Sequence, residues 1–182
     1  MNQPTWEALV TFILSANNNV KRIRTLADAL CMHFPQPENV AAQGLLAFPT
    51  PEMLAGCSEE ELRGLKMGYR APFLIETARR VCEGFDLAGL ASMPYAEAHR
   101  ALVTLPGVGD KVADCVLLFG CGHTSAFPVD VWVDRLLKSW FGVEAKGRAQ
   151  MLKTARNLLG DHAGLLQQFL FHAARTGAIS LD

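Results

Sequence analysis

The residues best suited to chemistry lie in Leu105-Pro-Gly-Val-Gly-Asp-Lys111 and, nineteen positions beyond the lysine, at the end of Pro128-Val-Asp130. A deprotonated amine can attack carbon and form a Schiff base, and a carboxylate across a pocket can stabilise positive charge developing on a sugar and help move protons. Lys111 falls in the first turn of a predicted helix. There the helix dipole disfavours the ammonium form, and desolvation in a pocket would push the same way. On the turn alone, a surface lysine contacting phosphate is the simpler reading. Asp130 has its own plain alternative, the N-cap of the next helix, and its two roles can coexist.

The elements that must position these groups follow from the flanking sequence. Pro106 cannot donate to a continuing helix, and Gly107 and Gly109 open backbone conformations closed to other residues. Val112, Ala113, Val116, Leu117 and Phe119 then recur at helical spacing, with Asp110 placed to cap. The expected unit is a helix-hairpin-helix whose Gly107 and Gly109 turn lets a phosphate approach backbone N–H groups. Cys115, one turn after Lys111, shares its face. Pro128 should hold its connection rigidly before the helical run Val131 to Phe141.

Earlier in the chain, Trp6, Leu9, Val10, Ile13 and Leu14 form a helical stripe that stops at Ser15-Ala16-Asn17-Asn18-Asn19, three asparagines suited to a loop. A second helix spans about Val20 to Phe34, and Pro35, Pro37, Pro49 and Pro51 mark a connecting region. Ser58 reads as an N-cap before Glu59, Glu60 and Glu61. Tyr69 beside Arg70 suits a wedge between stacked bases, or a packed helix terminus. Further helices are expected over 71–84, 95–102, 111–120, 131–141, 148–159 and 164–175, with no convincing alternating strand. Gln167 and Phe171 share a face of the last helix, where Phe171 reads as core on pattern alone.

The chain has 182 residues, half of them hydrophobic, enough for one compact domain or two small lobes. Its formal charge of −1 lends no support to nucleic-acid binding as a whole, so any basic surface must be local. Lys21, Arg22 and Arg24 form one such cluster, and Arg63, Lys66 and Arg70 another. The cysteines at 31, 57, 82, 115 and 121 form no CxxC pair and no metal-ligand spacing, which points to a reduced intracellular protein. No apolar run approaches a membrane span of ~20 residues, and no basic segment followed by an apolar core opens the chain.

LPGVGDKVADC followed by PVDVWVDR resembles the helix-hairpin-helix DNA glycosylase superfamily, and within it the 8-oxoguanine DNA glycosylase/AP lyases. The resemblance implies an all-α, two-lobed helical bundle, with about 20–125 as the middle helices and 1–19 with 126–182 as the second lobe. It implies Lys111 as the nucleophile at C1′ and Asp130 as the support for base departure. Cys115, Gln167 and Phe171 would form the base pocket. WEALVTFILSANNN and GYRA resemble the segments that meet the base left unpaired by flipping, which assigns Asn17, Arg22, Tyr69 and Arg70 there. A structural cation on the Val103, Leu105 and Val108 carbonyls is also implied, with no cofactor and no catalytic metal. The absence of four closely spaced C-terminal cysteines argues against the iron–sulfur cluster of the endonuclease III branch.

Two departures from the family pattern stand out. The resemblance begins at the family's catalytic region, so the N-terminal sheet domain that helps read 8-oxoguanine is expected to be missing. Trp132 and Ala174 stand where the family commonly has a phosphate-contacting histidine and its supporting aspartate. The expected function is excision of an oxidised purine, 8-oxoguanine opposite cytosine, from double-stranded DNA by a monomer. The expected location is intracellular, in the cytoplasm or nucleoid of a bacterium or the nucleus of a eukaryote. A glycosylase for another damaged base and a non-enzymatic helix-hairpin-helix module are the alternatives.

Overall fold

The apolar stripe at the start of the chain becomes α1 (Thr5–Ser15), which buries Ala8, Leu9, Val10, Ile13 and Leu14. This computed structural model describes residues 3–129, 133, 138–139 and 148–178. The three asparagines after α1 do three different things. Asn18 Nδ2 donates to the Leu14 carbonyl at 2.8 Å, Asn19 Oδ1 accepts from the Arg22 N–H at 2.9 Å, and Asn17 takes a left-handed backbone with φ +51°. Asn18 thus occupies an open carbonyl at the end of α1, and Asn19 caps α2 (Val20–His33).

The proline-rich connection holds more helix than expected. It contains α3 (Glu38–Ala41) and α4 (Pro51–Ala55). Pro51 opens α4 instead of interrupting it, because the first helical position has no N–H partner to lose, and the Thr50 hydroxyl accepts from the Met53 N–H. Helix α5 (Glu59–Gly64) begins with the anticipated cap, a capping box between Ser58 and Glu61.

A single 3₁₀ turn, Gly68–Arg70, leads into α6 (Ala71–Cys82), followed by α7 (Tyr95–Val103) and α8 (Asp110–Gly120). The expected cap at Asp110 is corrected. Gly109 is the N-cap and Asp110 is the first helical residue, its carboxylate 3.5 Å from His99 Nε2. Helices α9 (Arg148–Leu159) and α10 (Ala163–Arg175) close the described chain. All regular elements among the described residues are helical, and none of those helices is long and apolar enough to cross a membrane.

Helices α1 and α8 pack antiparallel. Thr5 Oγ1 donates to the Gly120 carbonyl at 3.0 Å, and Phe12, two turns further along α1, stacks on Phe119 with centroids 5.4 Å apart. Their approach depends on glycine, since a Cβ at Gly120 would lie 3.0 Å from Thr5 Cα. The larger apolar cluster unites Leu9, Ile13 and Leu14 of α1 with Leu26, Leu62, Leu74, Leu102 and Leu117. A smaller one gathers Phe127, Val133, Met151, Ala155 and Ala163. The chain crosses between them at Ala126-Phe127, where Gly164 of α10 donates its N–H to the Thr124 carbonyl at 2.9 Å.

Candidate active site

The hairpin between α7 and α8 is built around Gly107. Its φ is +77°, and a Cβ there would lie 2.9 Å from Phe73 Cβ, so conformation and space both call for glycine. Helix α6 supports this turn along one face. Phe73 packs on Gly107, Thr77 Oγ1 donates to the Pro106 carbonyl at 3.0 Å, and Arg80 donates to the Thr104 carbonyl at 2.9 Å. Gly109 faces open space, with nothing within 4 Å of an added Cβ. The start of α8 therefore combines a fixed turn with open backbone, the geometry that admits an anion.

Lys111 lies in the first turn of α8, half-buried, with Nζ 5.6 Å from the centroid of the Phe12 ring. The ring face attracts a cation, and its stack on Phe119 holds it in place. Cys115 is buried one turn further on. Burial pushes the thiols of Cys31, Cys57 and Cys121 up, which keeps them protonated and poor nucleophiles.

Below the turn lies a polar cluster that the sequence reading did not single out. Asp114 is fully buried and accepts from Tyr95 Oη at 2.7 Å. His99 lies 4.0 Å from Asp114 and 3.5 Å from Asp110. The signal was present as two pairs at four-residue spacing, Tyr95 with His99 on α7 and Asp110 with Asp114 on α8, which face each other once the hairpin closes. Phe12 and Phe73 were missed for a different reason, since nothing local distinguishes them from ordinary core aromatics.

A second group forms where the loop after α1 meets the Gly68–Arg70 turn. Asn17 Nδ2 donates to Tyr69 Oη at 3.1 Å, and Tyr69 Oη donates to the Ala16 carbonyl at 3.3 Å. Tyr69 is 46% exposed and packs edge-on against Phe73, centroids 6.3 Å apart. Arg22 reaches the Lys66 carbonyl at 3.4 Å. Arg70 lies inward, 7% exposed, with Nε 3.0 Å from the Ala16 carbonyl and a second guanidinium nitrogen on the same oxygen. Asn17, Arg22, Tyr69 and Arg70, spread over 54 positions, thus converge, and Phe73 links them to the hairpin.

Two of the remaining sequence-derived positions lie on α10. Gln167 is buried and accepts from Gln168 Nε2 at 2.6 Å, and Phe171 is partly buried one turn on. Asp130 and Trp132 lie outside the described residues, and so does the side chain of Ala174. The Leu105 carbonyl of the implied cation site accepts from the Val108 N–H at 3.1 Å. With Val103 and Val108 it offers neutral carbonyl dipoles, a donor set that fits a cation held without carboxylates. Among the described residues no cluster of three histidine, cysteine or acidic side chains could hold a metal.

Described residues that are helical throughout their regular elements, with a glycine hairpin feeding a lysine-bearing helix, define a helix-hairpin-helix protein. The chain belongs to the HhH-GPD superfamily of base excision DNA repair proteins, whose family model matches residues 10–160. It is 32% identical to a "Probable N-glycosylase/DNA lyase" of Methanothermobacter thermautotrophicus, over 96% of this chain and 62% of that protein. It is 36% identical to the N-glycosylase/DNA lyase of Saccharomyces cerevisiae, over 86% of this chain and 46% of that one. Its fold matches the Clostridium acetobutylicum 8-oxoguanine glycosylase/lyase, solved with double-stranded DNA containing cytosine opposite 8-oxoguanine. That match has a TM-score of 0.88 at 32% identity, covering 98% of this chain and 62% of the other. The chain thus spans between 46% and 62% of the length of these relatives.

Proposed function

We propose that this protein is a bifunctional DNA glycosylase/AP lyase that excises an oxidised purine, 8-oxoguanine opposite cytosine, from double-stranded DNA. The observation that carries the reading is Lys111 in the first turn of α8, directly behind the Gly107 and Gly109 hairpin and beside the Phe12 ring. The hairpin backbone would hold a phosphate while the damaged nucleotide is turned out of the stack. Unstacking costs less for a poorly paired lesion, which itself contributes selectivity. Cys115, Gln167 and Phe171 would line the pocket for the extruded base.

In this mechanism Lys111 Nζ attacks C1′ and the bond from C1′ to the base breaks, with Asp130 stabilising the charge that develops on the sugar. The amine then holds the opened sugar as an imine, and β-elimination cleaves the strand on its 3′ side. A cation on the Val103, Leu105 and Val108 carbonyls would add positive charge beside the bound phosphate. The working form is proposed to be an intracellular monomer. Its lobes would be the middle helices, about 20–125, and a second lobe of 1–19 with 126–182, although α1 packs on α8 and joins the larger apolar cluster.

Borohydride trapping tests this reading, on duplexes carrying 8-oxoguanine opposite each of the four bases and on an abasic duplex. A covalent adduct with 8-oxoguanine opposite cytosine is the expected result. Adduct on the abasic duplex alone would keep the lysine chemistry and reassign the lesion. Adduct on neither would leave a DNA-binding module.

A further inference from the structure

We infer that Asp114 is a positioning residue for Lys111. Held by Tyr95 and His99 of α7, it sets how α8 is turned about its own axis, and so where Lys111 and Cys115 point. The inference rests on the proposed function for what Lys111 does, and it adds a residue that acts through the nucleophile rather than on the DNA. Asp114 is fully buried, and its Oδ1 accepts from Tyr95 Oη at 2.7 Å and stands 4.0 Å from His99 Nε2, itself on a buried side chain. The same His99 nitrogen lies 3.5 Å from Asp110 Oδ1, one turn earlier on α8. The Tyr95 ring is braced in turn, tilted against His99 with centroids 5.7 Å apart and edge-on to His123 at 6.5 Å. His123 Nε2 donates to the Leu90 carbonyl at 2.9 Å, which fixes that brace.

Lys111 and Cys115 each follow one of these aspartates by one residue, about 100° around the helix. One strip of α8, Asp110 with Asp114, therefore faces α7, and the neighbouring strip, Lys111 with Cys115, carries the chemistry. The bonds from Thr77 and Arg80 to the turn fix where α8 begins, and the bond from Tyr95 to Asp114 fixes which way it faces. On the other side, α1 meets Lys111 through the Phe12 ring, and its polar bond to α8, from Thr5 to the Gly120 carbonyl, lies at the far end of that helix. Apolar packing has no direction of its own and tolerates a small turn of the helix, whereas a short hydrogen bond to a carboxyl does not. A buried carboxyl also costs more desolvation than a leucine would in the same space, so what Asp114 contributes is direction.

The test uses the full chain with Tyr95→Phe and Asp114→Asn, each checked by denaturant melt to be folded at the assay temperature. Cyanoborohydride trapping on a duplex with a preformed abasic site, under single turnover over a range of protein concentration, separates the maximal rate from the half-saturating concentration and needs no particular lesion. Lys111 is watched directly by NMR of isotope-labelled methyl groups placed on the lysines by reductive methylation, its resonance assigned by its loss in Lys111→Gln. Methyl groups on Nζ, 5.6 Å from the Phe12 centroid, are shifted upfield by the ring. A positioning role predicts that Tyr95→Phe lowers the maximal trapping rate about tenfold or more at unchanged half-saturation, and moves the Lys111 resonance toward those of exposed lysines. Asp114→Asn keeps an acceptor for the Tyr95 hydroxyl, should show a smaller loss of the same kind, and carries the test if Tyr95→Phe does not fold. An unchanged maximal rate in a folded variant, a loss confined to half-saturation, or a slower rate with the Lys111 resonance in place would each overturn the inference. If the unsubstituted chain traps no abasic duplex, the proposed lysine chemistry falls, and the resonance alone decides whether Asp114 positions Lys111.

Discussion

Phe73 of α6 fills the space that a side chain at Gly107 would need, with its Cβ 2.9 Å from where that side chain would begin. The same ring meets Tyr69 edge-on, so one aromatic joins the hairpin to the proposed wedge. Gly107→Ala should be destabilising on two counts, a left-handed backbone costing about 1–2 kcal/mol and a collision with Phe73. Combining it with Phe73→Ala should relieve the ring's share of the collision, the contacts of Cδ2 and Cγ at 3.0 and 3.1 Å, and leave the Cβ contact and the backbone cost. Denaturant melts of the four-variant cycle should therefore show favourable coupling of roughly 0.5–3 kcal/mol, and strictly additive losses would mean that Phe73 does not shape the turn.

Lys111→Gln should abolish borohydride trapping and strand nicking while binding to lesion-containing duplex is retained. Gel-shift and trapping assays on the same preparation separate the two, and nicking without Lys111 would remove it as nucleophile. Asp130→Asn should slow base release strongly. If Asp130 serves mainly as a cap, the effect would instead be a stability loss of roughly 0.5–2 kcal/mol with chemistry intact.

Gly164 lies where α10 meets the crossing between the two apolar clusters. An added Cβ would lie 1.8 Å from the Ala126 carbonyl oxygen, too close without moving the helix. Gly164→Ala should cost about 1–3 kcal/mol or more in denaturant unfolding. Gly56→Ala is the control, since its Cβ would meet nothing nearer than 3.5 Å, and it should change stability by no more than about 0.5 kcal/mol.

The Ser58 backbone N–H, 2.6 Å from Glu61 Oε2, holds the Glu61 carboxyl below its ordinary value, with the Ser58 hydroxyl adding to the effect. A carboxylate with a depressed folded-state pKa stabilises above its unfolded value and loses that contribution as pH falls through the folded one. Glu61→Ala should therefore melt below the unsubstituted protein at neutral pH, and the gap should narrow on acidification. A gap independent of pH would show that the cap acts without its charge.

Local pattern was enough for the helical class, because apolar residues at helical spacing and the glycine hairpin are short-range signals. Helices α1, α2 and α6 to α10 lie close to where periodicity puts them, and Ser58 with Glu61 announced its own capping box. The first helical residue of α8 was misjudged as a cap because Gly109 and Asp110 are both acceptable there, and His99, eleven positions earlier, draws the Asp110 carboxylate aside. Helix α4 was hidden by prolines that start a helix as readily as they end one. The sequence placed Lys111 at a helix start, but the Phe12 ring beside it comes from α1 and is visible only after α1 and α8 have packed. Arg70 carries the same lesson most clearly. Its residue type suits DNA contact, and only the tertiary fold shows its guanidinium, with the Tyr69 hydroxyl, on the Ala16 carbonyl 54 positions away at the end of α1.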